Sequence, residues 1–240
     1  MNLLIIDSGH AELVAGKESP DKKFREWKFN HSMQNKLNDR AKDHDIHVYL
    51  TNPNPSKINE IGLSKRSDLA NQYYKSKGKP KTLFLSLHAN AYGKDFNSAR
   101  GTETFIANNA SKSSKDAASY IQKEVFKTFK SLDSKSLDRG VKVENFSVIY
   151  NTITPAVLVE YGFYTNREDL KILENNQDEL IESTIKAVCL YFGIQYKPKT
   201  AVNNTKWAVC VGAFNDRRLA DECLAESKKK GFKDSYIIPR

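Results

Sequence analysis

The chain has 240 residues, 39% of them hydrophobic and 28% charged, with a formal net charge of +9. That apolar content excludes general disorder, and the length accommodates one α/β domain of ordinary size plus a small appendage. The charge favours an anionic partner (nucleic acid, acidic lipid or an acidic wall polymer), but it is spread along the chain with no arginine-rich helix or basic arm, which argues against specific DNA binding.

Met1 to Asp7 lacks a basic n-region and a long apolar h-region, so no secretion signal is expected there, and no apolar run approaches the roughly 18 residues of a membrane span. Leu3 to Ile6 is apolar without alternation and predicts a fully buried first strand. Phe29, Met33, Leu37 and Ala41 recur every four residues, which predicts a helix from Glu26 to Lys42. Ile46 to Leu50 reads as a second strand, Asn52 to Pro55 as a turn, and Leu63 to Ser76 as a helix stopped by Gly78 and Pro80. Thr82 to His88 predicts another buried strand, and Gly101 to Ala107 a strand with weak alternation. Ala117, Ile121, Val125 and Phe129 predict a helix over 114–130, with Ser113 and Asp116 as a capping pair. Phe146 to Tyr150 and Ala156 to Val159 read as short strands. Leu180, Ile181, Ile185, Val188 and Phe192 predict a last helix closed by Gly193. Strands alternating with helices imply an α/β fold with a largely parallel sheet covered on both faces.

Residues 195–206 have no apolar period and read as a linker after a body of residues 1–194. From Trp207 the pattern restarts: a strand to Phe214, a helix from Asp216 to Lys230, and a strand from Tyr236 to Ile238. Residues 207–240 are too few to bury much surface alone. Cys189, Cys210 and Cys223 form no CxxC and an odd count, so a reduced setting without a disulfide framework is expected.

In a parallel sheet, ligands sit at the carboxyl ends of the strands. The first strand leads into His10, a second ends at His88 and a third at Glu160, while Glu26 heads the first helix. Two histidines and a carboxylate suit catalytic zinc, and a further carboxylate can move the proton of an attacking water. Each residue alone reads more readily as a hydrogen-bonded structural residue or, for Glu26, as an acid favoured by the helix dipole. His31, His44 and His47 read as surface residues.

The motifs "IIDSGH", "REWKFN", "FLSLHANA", "GTETF", "DRGVK" and "PAVLVEYGFYTN", in that order, resemble the zinc-dependent N-acetylmuramoyl-L-alanine amidases of the type-3 family over about Asn2 to Phe192. The resemblance implies a twisted, mainly parallel sheet of about six strands flanked by helices. It implies Zn2+ held by His10, Glu26 and His88, with Glu160 as the catalytic base. Asn30 and Arg66 also match family positions, Arg66 near the end of the second helix. The implied reaction cleaves the amide between the lactyl group of N-acetylmuramic acid and L-alanine in peptidoglycan. Ser8 and Ala11 depart from the family's Pro and Gly without removing a ligand. Tyr161 and Phe163 either pack or line the groove. Alternatives are a zinc peptidase cutting within the stem peptide and a non-catalytic wall binder.

"VCVGAF", the helix after it and "SYII" resemble one half of a SPOR domain, a wall-binding module built from two βαβ halves. The resemblance implies either a homodimer that completes the module through residues 207–240 or a half that packs on the body. With no nucleic acid and no membrane insertion expected, the implied setting is phage or prophage lysis: a protein made in the cytoplasm that reaches the wall through a membrane pore.

Overall fold

The computed structural model describes residues 1–56, 58, 60–199, 212–233 and 235–237. They divide into two units, Met1–Lys199 and Thr200–Arg240. In the first, strands β1 (Asn2–Ser8), β2 (His47–Leu50), β3 (Lys81–Asn90), β4 (Thr102–Ile106), β5 (Asp138–Val143) and β6 (Ala156–Phe163) form one sheet of order β2-β1-β3-β6-β4-β5. Helices α1 (Glu26–Lys42), α2 (Leu63–Ser76), α3 (Lys112–Leu132), α4 (Ser147–Tyr150), α5 (Arg167–Asn175) and α6 (Gln177–Phe192) flank it.

Strand geometry sends successive side chains to opposite faces, and the core divides accordingly. Leu4, Ile6, Leu83, Leu85, Leu87, Val157 and Val159 pack with Met33 and Leu37 of α1, Ile121 and Val125 of α3, and Ile185 and Val188 of α6. Leu3, Ile5, Phe84 and Leu158 pack on the other side with Ala70 of α2 and Val148 and Ile149 of α4. The bare apolar runs of β1, β3 and β6 follow from burial on both faces.

The sheet is mixed. β1, β2, β3 and β6 are parallel, but β4 pairs antiparallel with β6, and β5 then pairs parallel with β4. The link between β3 and β4 contains no helix. A parallel crossover needs about a dozen residues or more, usually including one, so the chain turns back instead.

Several expectations are corrected. Phe146 to Tyr150, expected as a strand, forms the one-turn helix α4, with the amides of Ile149 and Tyr150 donating to the Phe146 carbonyl. Short apolar runs do not distinguish the two states by periodicity. β5 and α5 are additional to the expected elements. The cap of α3 is Ser111, whose side chain accepts from the Ser114 amide, rather than Ser113. His44 is buried, not superficial: its Nδ1 lies 2.8 Å from the Arg40 carbonyl and its Nε2 accepts from the Lys197 amide at 2.9 Å. His31 is half-buried, and His47 is exposed as expected. The start of the expected linker packs on the body, with Tyr196 stacked on His44 and its hydroxyl donating to Glu182. Gly193 closes α6 in the left-handed region, φ 69°.

In the second unit, helix α7 (Arg217–Lys229) is capped by Asp216, whose side chain accepts from the Arg218 amide. Most of the strand expected from Trp207 lies outside the described residues, and 212–214 carry no strand; likewise 236–237 carry none, and Ile238 is not described.

Candidate functional site

Parallel register carries the chemistry to one edge of the sheet. Ser8 pairs with Leu87 and His88 with Glu160, so the loop after β1 emerges beside the last residues of β3 and β6. Both strands run further than their apolar stretches suggest, to Asn90 and Phe163, so His88 and Glu160 lie inside strands rather than at their ends. As register partners they leave the same face of the sheet.

Glu26 opens α1 and reaches this edge. Its Oε1 lies 2.9 Å from Nδ1 of His88, and its Oε2 lies 3.4 Å from Nε2 of His10. The two imidazoles meet edge to face with centroids 5.2 Å apart. One donor atom from each of the three residues lies within 4.8 Å of the other two. Tetrahedral zinc with bonds of about 2.1 Å sets its ligand atoms about 3.4 Å apart, so shifts of about an ångström bring this set onto one ion. Two imidazole nitrogens and a carboxylate oxygen are also the donor chemistry zinc accepts.

The backbone beneath is shaped for these side chains. A Cβ on Gly9 would lie 2.0 Å from Cε1 of His88, so only glycine leaves space for that ring. His10 holds φ at 64°, in the left-handed region uncommon for a non-glycine residue. Asn52 clamps it: its Nδ2 donates to the carbonyls of Ser8 and His10, each at 3.0 Å. Asn30 Nδ2 donates to the Gly9 carbonyl at 3.0 Å and faces Oε1 of Glu26 at 3.4 Å.

Electrostatics separate the two glutamates. Burial works to raise the pKa of Glu26, but the hydrogen bond from His88 and the charges of His88, His10 and Lys17 outweigh it and hold the carboxyl below its ordinary range. Glu160 goes the other way: burial first, then the charges of Glu26 and Glu103, push it well above that range. Its Oε2 is a buried oxygen with no hydrogen-bond partner. A cation among His10, Glu26 and His88 would draw Glu160 back down. Glu103, directly across from Glu160 on β4, accepts from Arg139 Nε at 2.7 Å and from Lys142 and Asn90. Burial works to raise Glu103, but Lys142 and Arg139 outweigh it, keeping a full negative charge beside Glu160.

The structure thus brings together His10, Glu26, His88 and Glu160. Arg66 is fully buried in the first turn of α2, not near its end, and donates from Nη1 to Asp7 Oδ2 at 2.9 Å. Tyr161 and Phe163 are buried packing residues, with the Tyr161 hydroxyl 2.8 Å from Thr184 Oγ1. Sequence reasoning assigned no role to Asn52, Glu60 or Glu103. Asn52 was absorbed into a proline turn, and only Glu103 carried any signal, an acid within an otherwise buried strand.

Residues 4–189 match the family model described as N-acetylmuramoyl-L-alanine amidase. Among solved structures, the N-acetylmuramoyl-L-alanine amidase of Clostridium difficile 630 is 31% identical with a TM-score of 0.67, covering 80% of this chain and 96% of that one. The catalytic domain of the amidase CwlV from Bacillus (Paenibacillus) polymyxa var. colistinus is 26% identical with a TM-score of 0.67, covering 81% of this chain and all of that one. The curated N-acetylmuramoyl-L-alanine amidase CwlM of Bacillus licheniformis is 27% identical over 182 residues, which span 75% of this chain and 63% of that relative. A match over nearly the whole first unit, with the same fold in solved amidases, means that the chain belongs to the Amidase_3 family of N-acetylmuramoyl-L-alanine amidases.

Proposed function

We propose that the chain is a zinc-dependent hydrolase that cleaves the amide between the lactyl group of N-acetylmuramic acid and L-alanine in bacterial peptidoglycan. His10, Glu26 and His88 hold the metal, and Glu160 moves the proton. The observation that carries this reading is the meeting of those three donors within 4.8 Å, beside a carboxyl whose pKa is driven up. Zinc bound there supplies Lewis acidity, activating water for attack near neutral pH and polarising the scissile carbonyl. Glu26, kept ionised by its histidine neighbours, contributes a negative donor. Glu160 accepts the proton of the attacking water and returns it to the departing alanine nitrogen. Its strand holds it rigidly, since β6 is hydrogen-bonded on both sides to β3 and β4.

The test is digestion of purified cell wall by the zinc-loaded protein, read by mass spectrometry. New L-alanine amino termini support the amidase. Other new termini would indicate a peptidase of the stem, and no products a wall binder.

For residues 207–240 we propose a half-SPOR-like unit that pairs with the same unit of a second copy. Support comes from α7, which buries none of its residues, and from Phe214, Leu219, Phe232 and Tyr236, all exposed apolar or aromatic groups. Light scattering at micromolar concentration should give a dimer mass; a monomer removes this part of the reading.

A further inference from the structure

We propose that Glu60 is a positioning residue for His10, holding the imidazole in the Nδ1-protonated form that leaves Nε2 free for the metal; this rests on the zinc reading above. Nε2 of His10 is the atom that faces Glu26, at 3.4 Å. A nitrogen that donates its lone pair to a metal carries no proton, so the proton of the neutral ring sits on Nδ1. Nδ1 is buried and has no aligned hydrogen-bond partner, and the carboxylate that faces it is Glu60, whose Oε1 is 3.2 Å away. A small rotation of either group makes that N–H donate to the carboxylate.

Glu60 is itself held from behind. The same Oε1 lies 3.4 Å from Nη2 of Arg66. Arg66 donates from Nη1 to Asp7 at 2.9 Å, and Asp7 also accepts from Thr51 Oγ1 at 2.5 Å and Ser86 Oγ at 2.8 Å. Arg66 and Asp7 are 1% and 0% exposed, so the chain of charges is anchored in the core and ends at the ring of His10. Asn52 fixes the backbone of His10, and Glu60 fixes its side chain. Carboxylates placed behind metal-binding histidines set ring orientation and raise donor strength. The competing view is that Glu60 serves only as a second counter-ion for Arg66.

Three measurements on the full chain distinguish them: zinc affinity by competition with a chromophoric chelator, thermal unfolding of the metal-free protein, and nitrogen-15 spectra of the His10 ring. We expect Glu60→Ala to weaken zinc binding by about 10–100-fold. Glu60→Gln, which keeps an acceptor oxygen, should lose less, and both metal-free midpoints should stay near wild type. The zinc-loaded wild type should show His10 protonated at Nδ1. Unchanged zinc affinity in Glu60→Ala, or a loss of affinity matched by a fall in the metal-free midpoint, overturns the positioning role. If Glu60→Ala does not fold, Glu60→Gln decides by the same criteria. A wild-type protein that binds no zinc would overturn the zinc reading itself.

Discussion

Glu160 is held in a state that costs stability. Burial and the charges of Glu26 and Glu103 raise its pKa, so its carboxylate form is disfavoured in the folded protein. Glu160→Gln keeps the shape but accepts no proton. Turnover should therefore fall by about 100- to 10,000-fold while zinc content stays at wild type. Because the repulsion with Glu26 and Glu103 also disappears, the metal-free variant should unfold at a higher temperature at pH 7 than the wild type. A variant that loses zinc along with activity would instead make Glu160 a ligand. Gly9 tests the other half of the site. In Gly9→Ala the new Cβ would sit 2.0 Å from the His88 ring, which must swing away. Overpacking of this kind costs about 1–3 kcal/mol, but the ring lies at an edge and can yield. Zinc affinity should accordingly fall at least tenfold, with far-ultraviolet circular dichroism unchanged. The four residues of the site were legible because each adjoins an apolar run or opens an amphipathic helix. Glu60 and Asn52 were not. Their importance depends on which distant backbone they meet, Asn52 reaching residue 10 across 42 positions, and local pattern carries no trace of that.

At the scale of elements, α1 was readable from apolar residues recurring every four positions, and α2 from the Gly78 and Pro80 that stop it. Elements with neither signal were not. β5 is an edge strand whose residues are exposed or half-buried throughout, so it has no apolar run to announce it. α5 spans only nine residues, and its start is set by Asn166 accepting from the amides of Glu168 and Asp169, which reads from sequence as loop chemistry. The antiparallel turn of β4 was hidden because strand direction is a property of the connection, not of the strand. One contact between elements makes a pH prediction. Arg40 of α1 grips Glu182 of α6, Nε to Oε1 at 2.5 Å and Nη2 to Oε2 at 3.0 Å, and Tyr196 donates to the same carboxylate. Burial works to raise the pKa of Glu182, but Arg40 and Tyr196 outweigh it and hold it below 4.5. A depressed carboxyl binds protons more readily when unfolded, so its contribution is complete above that value and is lost as pH falls through the lowered one. Glu182→Gln should cost about 2 kcal/mol at pH 7, the worth of a charge-assisted pair. As pH falls through that lowered value, its unfolding curve should converge on the wild type's. Parallel curves at all pH values would show that the pair does not contribute through charge.

Across the whole molecule, the proposed ligands tie together segments far apart in the chain: the loop after β1, the head of α1 and strand β3. A ligand that binds only the folded state stabilises it by mass action, about 4 kcal/mol at a thousand times its dissociation constant. In a unit of this size, each kcal/mol moves the midpoint by about 2–4 °C. Chelation should therefore lower the melting temperature of the first unit by about 10 °C, and zinc should restore it along with wall digestion. The second unit supplies a control within the same chain. Its described residues hold no His, and α7 is stabilised by local pairs such as Arg217–Asp221 and Arg218–Glu222, each worth about 0.3–0.5 kcal/mol. Local pairs of this kind do not respond to a metal bound elsewhere. If chelation lowered the stability of residues 200–240 as much as that of Met1–Lys199, the two units would be coupled, and the effect could not be assigned to His10, Glu26 and His88. A shift confined to the first unit, and absent in a His88→Ala variant, places the stabilisation on the same donors that the chemistry requires.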